Sequence, residues 1–455
     1  MSLSPPEVSG RLWAIAAITG SGAFMAMLDS TIANLALETI RSDLDAPLSG
    51  VQWVATGYLI ALAVSLPLTG WLGRRFGSGR LWAGSVLVFL LASILCAVSH
   101  DLPLLIASRC LQGLAAGLMV PAGQAVLAAT ADRRQLGRLM GVVGFAVALG
   151  PALGPAFGGA LIDTTSWRWL FLINVPVGVA ALIGARSQVP SGERFPQARI
   201  DTRGLVLIGL GLPLLLYGAA EMGSGHISIL SAACSALGAI LSVLFVVHAM
   251  RVGEPLIDVG LLMRTRFAAP VATAGLTGAA MYGGLLLLPI FLQRSLGQSP
   301  TEAGFMLLAM GLGSAFVLPV AGTWTDRFGP KRVSLAGGAL LTLTTVPFLS
   351  SAPLVFGAVT VLLVARGAGL ALAQMPAIAA AYGEVDKTET GDAATLINVA
   401  QRIGGAVGAI AVVAVIEQVG RSTPGSAYEV AFGMLVVVSA CALFSATHIA
   451  ASKQE

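Results

Sequence analysis

Charge is scarce in this chain: 11% of its 455 residues are charged against 56% hydrophobic, and its mean hydropathy is +0.86. A soluble domain needs roughly twice that charge on its surface, so a water-exposed globular protein is excluded. The 4 cysteines, Cys96, Cys110, Cys234 and Cys441, fall inside or at the edge of apolar runs without metal-ligand spacing. That excludes a disulfide framework and a zinc site, and leaves them as small packing residues. Histidine is equally sparse, and none lies deep in an apolar run, which argues against a histidine proton relay. No lysine follows a glycine-rich phosphate loop, which removes an ATP-driven pump. The apolar runs hold neither clustered acids for a metal-diphosphate nor a nucleophile–base pair, which disfavours a membrane-embedded enzyme such as an isoprenoid-processing transferase. A net charge of +4 is no sign of nucleic acid, because Lys and Arg sit in short clusters between apolar runs.

What the chain has is apolar runs of about 20 residues, one after another, joined by short loops. Period-2 alternation is absent, so the runs are helices that satisfy their own backbone hydrogen bonds. Hydropathy predicts an all-α, multi-pass membrane protein of about fourteen helices, at 12–37, 51–72, 81–99, 103–127, 139–162, 168–186, 203–221, 228–249, 267–293, 303–323, 333–350, 353–378, 393–417 and 428–450. The first run is too long for a cleavable signal and carries Asp29, so it is read as the first membrane helix. Loops on one side collect Arg74, Arg75, Arg80, Arg133, Arg134, Arg138, Arg186, Arg194, Arg199 and Arg203, then Arg251, Arg264, Arg266, Arg327, Lys331 and Arg332. Only Arg41, Arg168, Arg294 and Arg421 remain on the other side, which places both termini in the cytoplasm of an inner or plasma membrane.

The chain also repeats itself. GWLGRRFGSGR from Gly70 returns as GTWTDRFGPKR from Gly322, 322 − 70 = 252 residues on, and Arg109 with Pro121 returns as Arg366 with Pro376. Two six-helix bundles are implied, over 1–200 and 263–455, with two linker helices over 201–262. Such a repeat suits a transporter, in which two similar bundles rock about a site at their interface, and disfavours a channel.

At this point the residues resemble a family, the major facilitator superfamily, and within it the fourteen-helix drug:proton antiporter branch. The resemblance rests on LDSTIANLAL from Leu28, the two glycine-basic loops, RCLQG from Arg109, WRWLFLINVPVG from Trp167 and, most specifically, GVVGFAVALGPALGPAFGG in helix five. That last segment holds Gly141, Gly150, Gly154, Pro155, Gly158 and Gly159 in the spacing of the antiporter motif. Its glycines recur every fourth residue, giving a stripe on which another helix can pack at backbone distance, and its prolines bend the helix. Ordinary tight packing would use the same residues; what the resemblance adds is export rather than import.

Asp29 is the expected energy-coupling residue. A carboxylate deep in a membrane helix costs about 2.5 to 3.5 kcal/mol on insertion scales, and such groups usually face a cavity. Asp29 and Arg109 lie at depths of about 12 and 8 Å from the outer ends of helices one and four, taking 1.5 Å per residue, so they are expected to pair. The resemblance brings those helices together. The second half has no counterpart acid, since the repeat offset carries position 29 to 281–286. Asp163, Glu221, Glu302 and Glu417 sit near outer helix ends, where interfacial solvation accounts for them.

Polar residues in otherwise apolar helices, Asn34, Tyr58, Gln112, Tyr282, Gln374, Asn398 and Gln401, are expected to line a substrate cavity, and Arg402 to be either structural or cavity-lining. The loop residues Gly70, Arg75, Gly77, Asp326, Arg327, Gly329, Lys331 and Arg332 are expected to gate the cytoplasmic side. Arg74 stands where the superfamily pattern has Asp, which would deprive the first loop of its acid–base contact. The resemblance implies protons as coupling ion, no other cofactor, a small hydrophobic or amphipathic substrate, and a membrane-fusion partner in an efflux assembly. An exporter of an endogenous lipid, siderophore or secondary metabolite fits the same residues.

Overall fold

The computed structural model describes residues 8–197, 199–223, 228–349, 355–422 and 426–450. Among them there is no strand. Thirteen helices are long and apolar enough to cross a membrane, and Leu136–Thr164, whose first part is also apolar, makes a fourteenth. In order they are Gly10–Leu35, Gly50–Phe76, Ser78–Val98, Leu102–Thr130, Leu136–Thr164, Trp169–Gln188 and Thr202–Gly223, then Ile229–Ala249, Thr265–Arg294, Pro300–Phe328, Pro330–Leu349, Phe356–Gly383, Thr390–Ser422 and Ala427–Ala446. We number them one to fourteen.

Local chemistry sets several of their ends. Asp101 caps helix four by accepting from the Leu104 amide at 2.8 Å, and Ser299 with Glu302 forms a reciprocal capping box on helix ten. Glu302 is thus a cap, in keeping with its place at an outer end. Gly77 and Gly329 end helices two and ten with φ of 89° and 83°, a left-handed backbone that favours glycine. One element was not legible in advance, a short outer helix over Leu37–Asp43. Asp43 there accepts from the Trp167 indole and the Arg168 guanidinium, which hold its carboxyl below the usual range.

The repeat is visible in the packing. Helix one lies on five, two on four and three on four; eight helices later, nine lies on thirteen, ten on twelve and eleven on twelve. The seams between the halves are unequal, however. Helix five packs directly on helix ten, whereas helix seven inserts beside both helix two and helix thirteen, with helix eight laid on its outer side. Helices seven and eight approach closely: a Cβ at Gly238 would stand 2.3 Å from the Leu215 amide. Their cytoplasmic ends are tied by Asp201, which accepts from the Gly204 amide and lies 2.9 Å from His248 Nε2. Burial alone would raise the Asp201 carboxyl, but the Gly204 amide and His248 hold it below the usual range.

Candidate functional site

Asp29 and Arg109 meet inside the first half, 2% and 1% exposed. Arg109 donates to Asp29 Oδ2 at 2.5 Å through Nη1 and to the Val54 carbonyl of helix two at 3.0 Å through Nε. Gln112, one turn along helix four, accepts from Arg109 at 2.6 Å and donates to Asp29 Oδ1 at 2.9 Å and to Ser93 Oγ at 2.8 Å. Asn174, at the start of helix six, donates to Asp29 Oδ1 at 3.1 Å. The guanidinium lies over the Tyr58 ring at 4.3 Å, and Tyr58 donates to the Ala26 carbonyl. Helices one, two, three, four and six therefore converge on a single ion pair whose remaining donors and acceptors are largely satisfied, the condition under which a buried pair is tolerated. Ser93 and Asn174 were not picked out from the sequence; the lone Asn in the apolar WLFLINVPVG segment was the available signal.

This cluster corrects two expectations. Tyr58 and Gln112 do not line an open cavity: both are buried, Tyr58 1% and Gln112 0% exposed, Gln112 because its amide bonds both members of the ion pair and Tyr58 because its ring lies under the guanidinium while its hydroxyl bonds the Ala26 carbonyl. Of the other expected cavity residues, Asn34 lies on helix one but its surroundings fall outside the described residues. Tyr282 is 43% exposed and packs over Gly405. Gln374, Gln401 and Arg402 are half-buried. Asn398 donates to Gln124 Oε1 of helix four at 2.8 Å, and Tyr382 of helix twelve donates to the same oxygen at 3.3 Å, so these three join the halves toward the cytoplasmic side.

Arg366 occupies the Arg109 position in the second half and is also 1% exposed. It donates to the Thr345 hydroxyl and, at 3.0 Å, to the Ala280 carbonyl, and has no carboxylate partner among the described residues. Gly284 faces it: a Cβ there would stand 2.7 Å from Nη2.

The helix-five stripe is shared between two neighbours. A Cβ at Gly141 would stand 2.8 Å from the Leu318 carbonyl of helix ten, across the seam. At Gly150 it would stand 2.5 Å from Met27 Cβ, and at Gly154 2.8 Å from Thr31 Cγ2, both on helix one. The stripe thus seats the stretch of helix one that carries Asp29. Pro155, Gly158 and Gly159 lie on helix five, but their surroundings are outside the described residues. Gly404 and Gly408 repeat the arrangement on helix thirteen, 2.0 Å from the Gly275 and 2.4 Å from the Ala279 carbonyl of helix nine by the same measure.

The cytoplasmic loops form two latches of opposite polarity. Asp326, at the end of helix ten, accepts from the Gly137 and Arg138 amides at the start of helix five and from Arg138 Nε at 2.7 Å. The first loop does not lack an acid–base contact, as the Arg74 substitution implied: Arg74 pairs with Asp392 in the first turn of helix thirteen. Both helix N-termini thus meet a carboxylate, as their dipoles require, one borrowed across the seam and one built into the helix. Gly70 makes room for Asp392, whose Oδ1 would lie 2.2 Å from a Cβ there. Arg75 instead donates to the Pro196 carbonyl at 2.8 Å, and Arg327 lies over Phe328. Lys331 and Arg332 begin helix eleven, half-buried and exposed. Arg264 and Glu389 add a bidentate pair near the same face, which holds the Glu389 carboxyl below its usual range. The Asp326–Arg138 and Arg74–Asp392 contacts hold the halves together on the cytoplasmic side.

The model of the Major Facilitator Superfamily matches residues 19–286 and 271–451. The chain belongs to this superfamily. Among its relatives are the multidrug resistance protein B homolog of Mycobacterium tuberculosis, 35% identical over 89% of this chain and 76% of that one, and the probable actinorhodin transporter of Streptomyces coelicolor, 33% identical over 89% and 72%. Solved facilitators share the fold: the proton:xylose symporter XylE, with a TM-score of 0.65, 14% identity and coverage of 95% and 94%, and the human organic anion transporter MFSD10, with 0.62, 16%, 94% and 99%. This facilitator is a multi-pass membrane transporter, not an enzyme.

Proposed function

We propose that this facilitator exports hydrophobic or amphipathic small molecules by alternating access, driven by protons entering at Asp29. The observation that carries the reading is the Asp29–Arg109 pair, buried and held from five helices of the first half. A charge pair at this depth is retained where it has work to do, and its balance depends on Asp29 staying ionised. A proton on Asp29 releases the Arg109 guanidinium toward Gln112 and the Val54 carbonyl, and the altered cluster biases the rocking of the halves. Relatives named for multidrug resistance support the export direction and the substrate class.

A second reading has one observation in its favour. The similarity to a protein named a probable actinorhodin transporter supports export of a secondary metabolite in place of a broad drug range. Purified protein in liposomes separates the two. An imposed pH gradient should move substrate in the wild type and not in Asp29→Asn, and retained uphill movement by that variant removes Asp29 from the mechanism. A panel of dyes, drugs, lipids and polyketides then reads breadth.

A further inference from the structure

Three arginines lie within the membrane-spanning helices away from their ends, and they differ in how their charge is met. Arg109 has Asp29; Arg366 is sealed among Thr345 and the Ala280 carbonyl. Arg402 has no ion-pair or hydrogen-bond partner among the described residues, and it is half-buried, not sealed. It stands twelve residues into helix thirteen from Thr390, about 18 Å from the cytoplasmic end and so near the middle of a hydrocarbon core about 30 Å thick.

Its direction follows from helix geometry. Asn398, one turn earlier on the same face, reaches across to Gln124 of the first half. Arg402 therefore looks toward the first half as well, one turn further out than that inter-half contact. Gln374 and Gln401, half-buried and without hydrogen-bond partners among the described residues, supply neutral donors in the same half. An unpaired guanidinium between the halves, at mid-membrane depth and open on one side, is a site for an anion.

We propose that Arg402 anchors the anionic group, a carboxylate or phenolate, of an amphipathic substrate whose apolar body lies between the halves. The inference rests on the export reading for the direction of movement only; the binding itself needs no gradient.

The test uses the full chain in nanodiscs with pyrenebutyrate and its uncharged amide, binding being measured by equilibrium dialysis against empty discs. The acid should bind the wild type at least about 10-fold tighter than the amide, and Arg402→Gln should weaken the acid about 10- to 100-fold, as loss of a charge-assisted hydrogen bond does, while changing the amide little. Arg402→Lys, which keeps the charge, should retain most of the preference. Equal binding of acid and amide by the wild type, no specific binding of the acid, or a preference that survives Arg402→Gln overturns the proposal. Asp29→Asn should keep the acid preference while losing gradient-driven movement, so failure of the anchor and failure of the coupling are told apart.

Discussion

Arg109 and Arg366 occupy matching places on helices four and twelve, and both are buried, yet among the described residues only Arg109 has a carboxylate. Where the first half has Asp29, the second has Gly284 against the guanidinium. One arginine therefore sits in an ion pair with a carboxylate; the other sits in a frame of neutral acceptors. Among the described residues the buried acid–arginine pair within one bundle is found in the first half, and the difference teaches that the repeat supplies the scaffold while the acid distinguishes the halves.

Four experiments break or sharpen that comparison. The largest effect belongs to Asp29→Asn, which should reduce gradient-driven transport to the level of protein-free liposomes. Next, Arg109→Met strands a buried carboxylate and should destabilise the protein by about 3–5 kcal/mol, whereas Arg366→Met removes a charge that has no acid to strand and should be near neutral or stabilising. Unfolding in detergent measures both, and equal losses would show that the halves use their arginines alike. Smaller again, Gly150→Ala and Gly404→Ala each push a helix away from a close neighbour and should each cost about 1–3 kcal/mol. Only Gly150→Ala should also alter proton coupling, read as the number of protons moved per substrate, because only helix one carries the acid. The smallest effect is expected at the latches. Asp326→Asn should favour the state open to the cytoplasm more than Asp392→Asn does, measured by spin-label distances between Phe76 and Lys387, because Asp326 holds two amides of another helix besides its arginine.

Much of this was legible in the sequence, for physical reasons that can be named. Lipid imposes long apolar helices, so their number and order followed from hydropathy. The burial cost of Asp29 marked it as exceptional, and counting residues from helix ends brought Arg109 to the same depth. Direction around a helix axis was less accessible. Tyr58 and Gln112 are polar residues in apolar helices whether they face a cavity or an ion pair, and only the packing of five helices decides between these. The partner of Arg74 was hidden for a similar reason: Asp392 lies over three hundred residues away in the chain, at a helix start where an acid is already expected for the dipole. Arg402 stood out by its charge, but that it lacks a partner among the described residues is a property of the fold.

Helix thirteen carries its own anion at its first turn, while helix five borrows one from helix ten. When the cytoplasmic side parts, helix thirteen keeps Asp392 and sheds only an arginine into water. Helix five loses the acceptor of its leading amides and is left with Arg138 beside an already positive end. The wedge of helix seven lies on the first of these sides, the direct glycine seam on the second. Separation should begin as a peel from the side of helix thirteen, with the edge along helices five and ten serving as the pivot until it yields last.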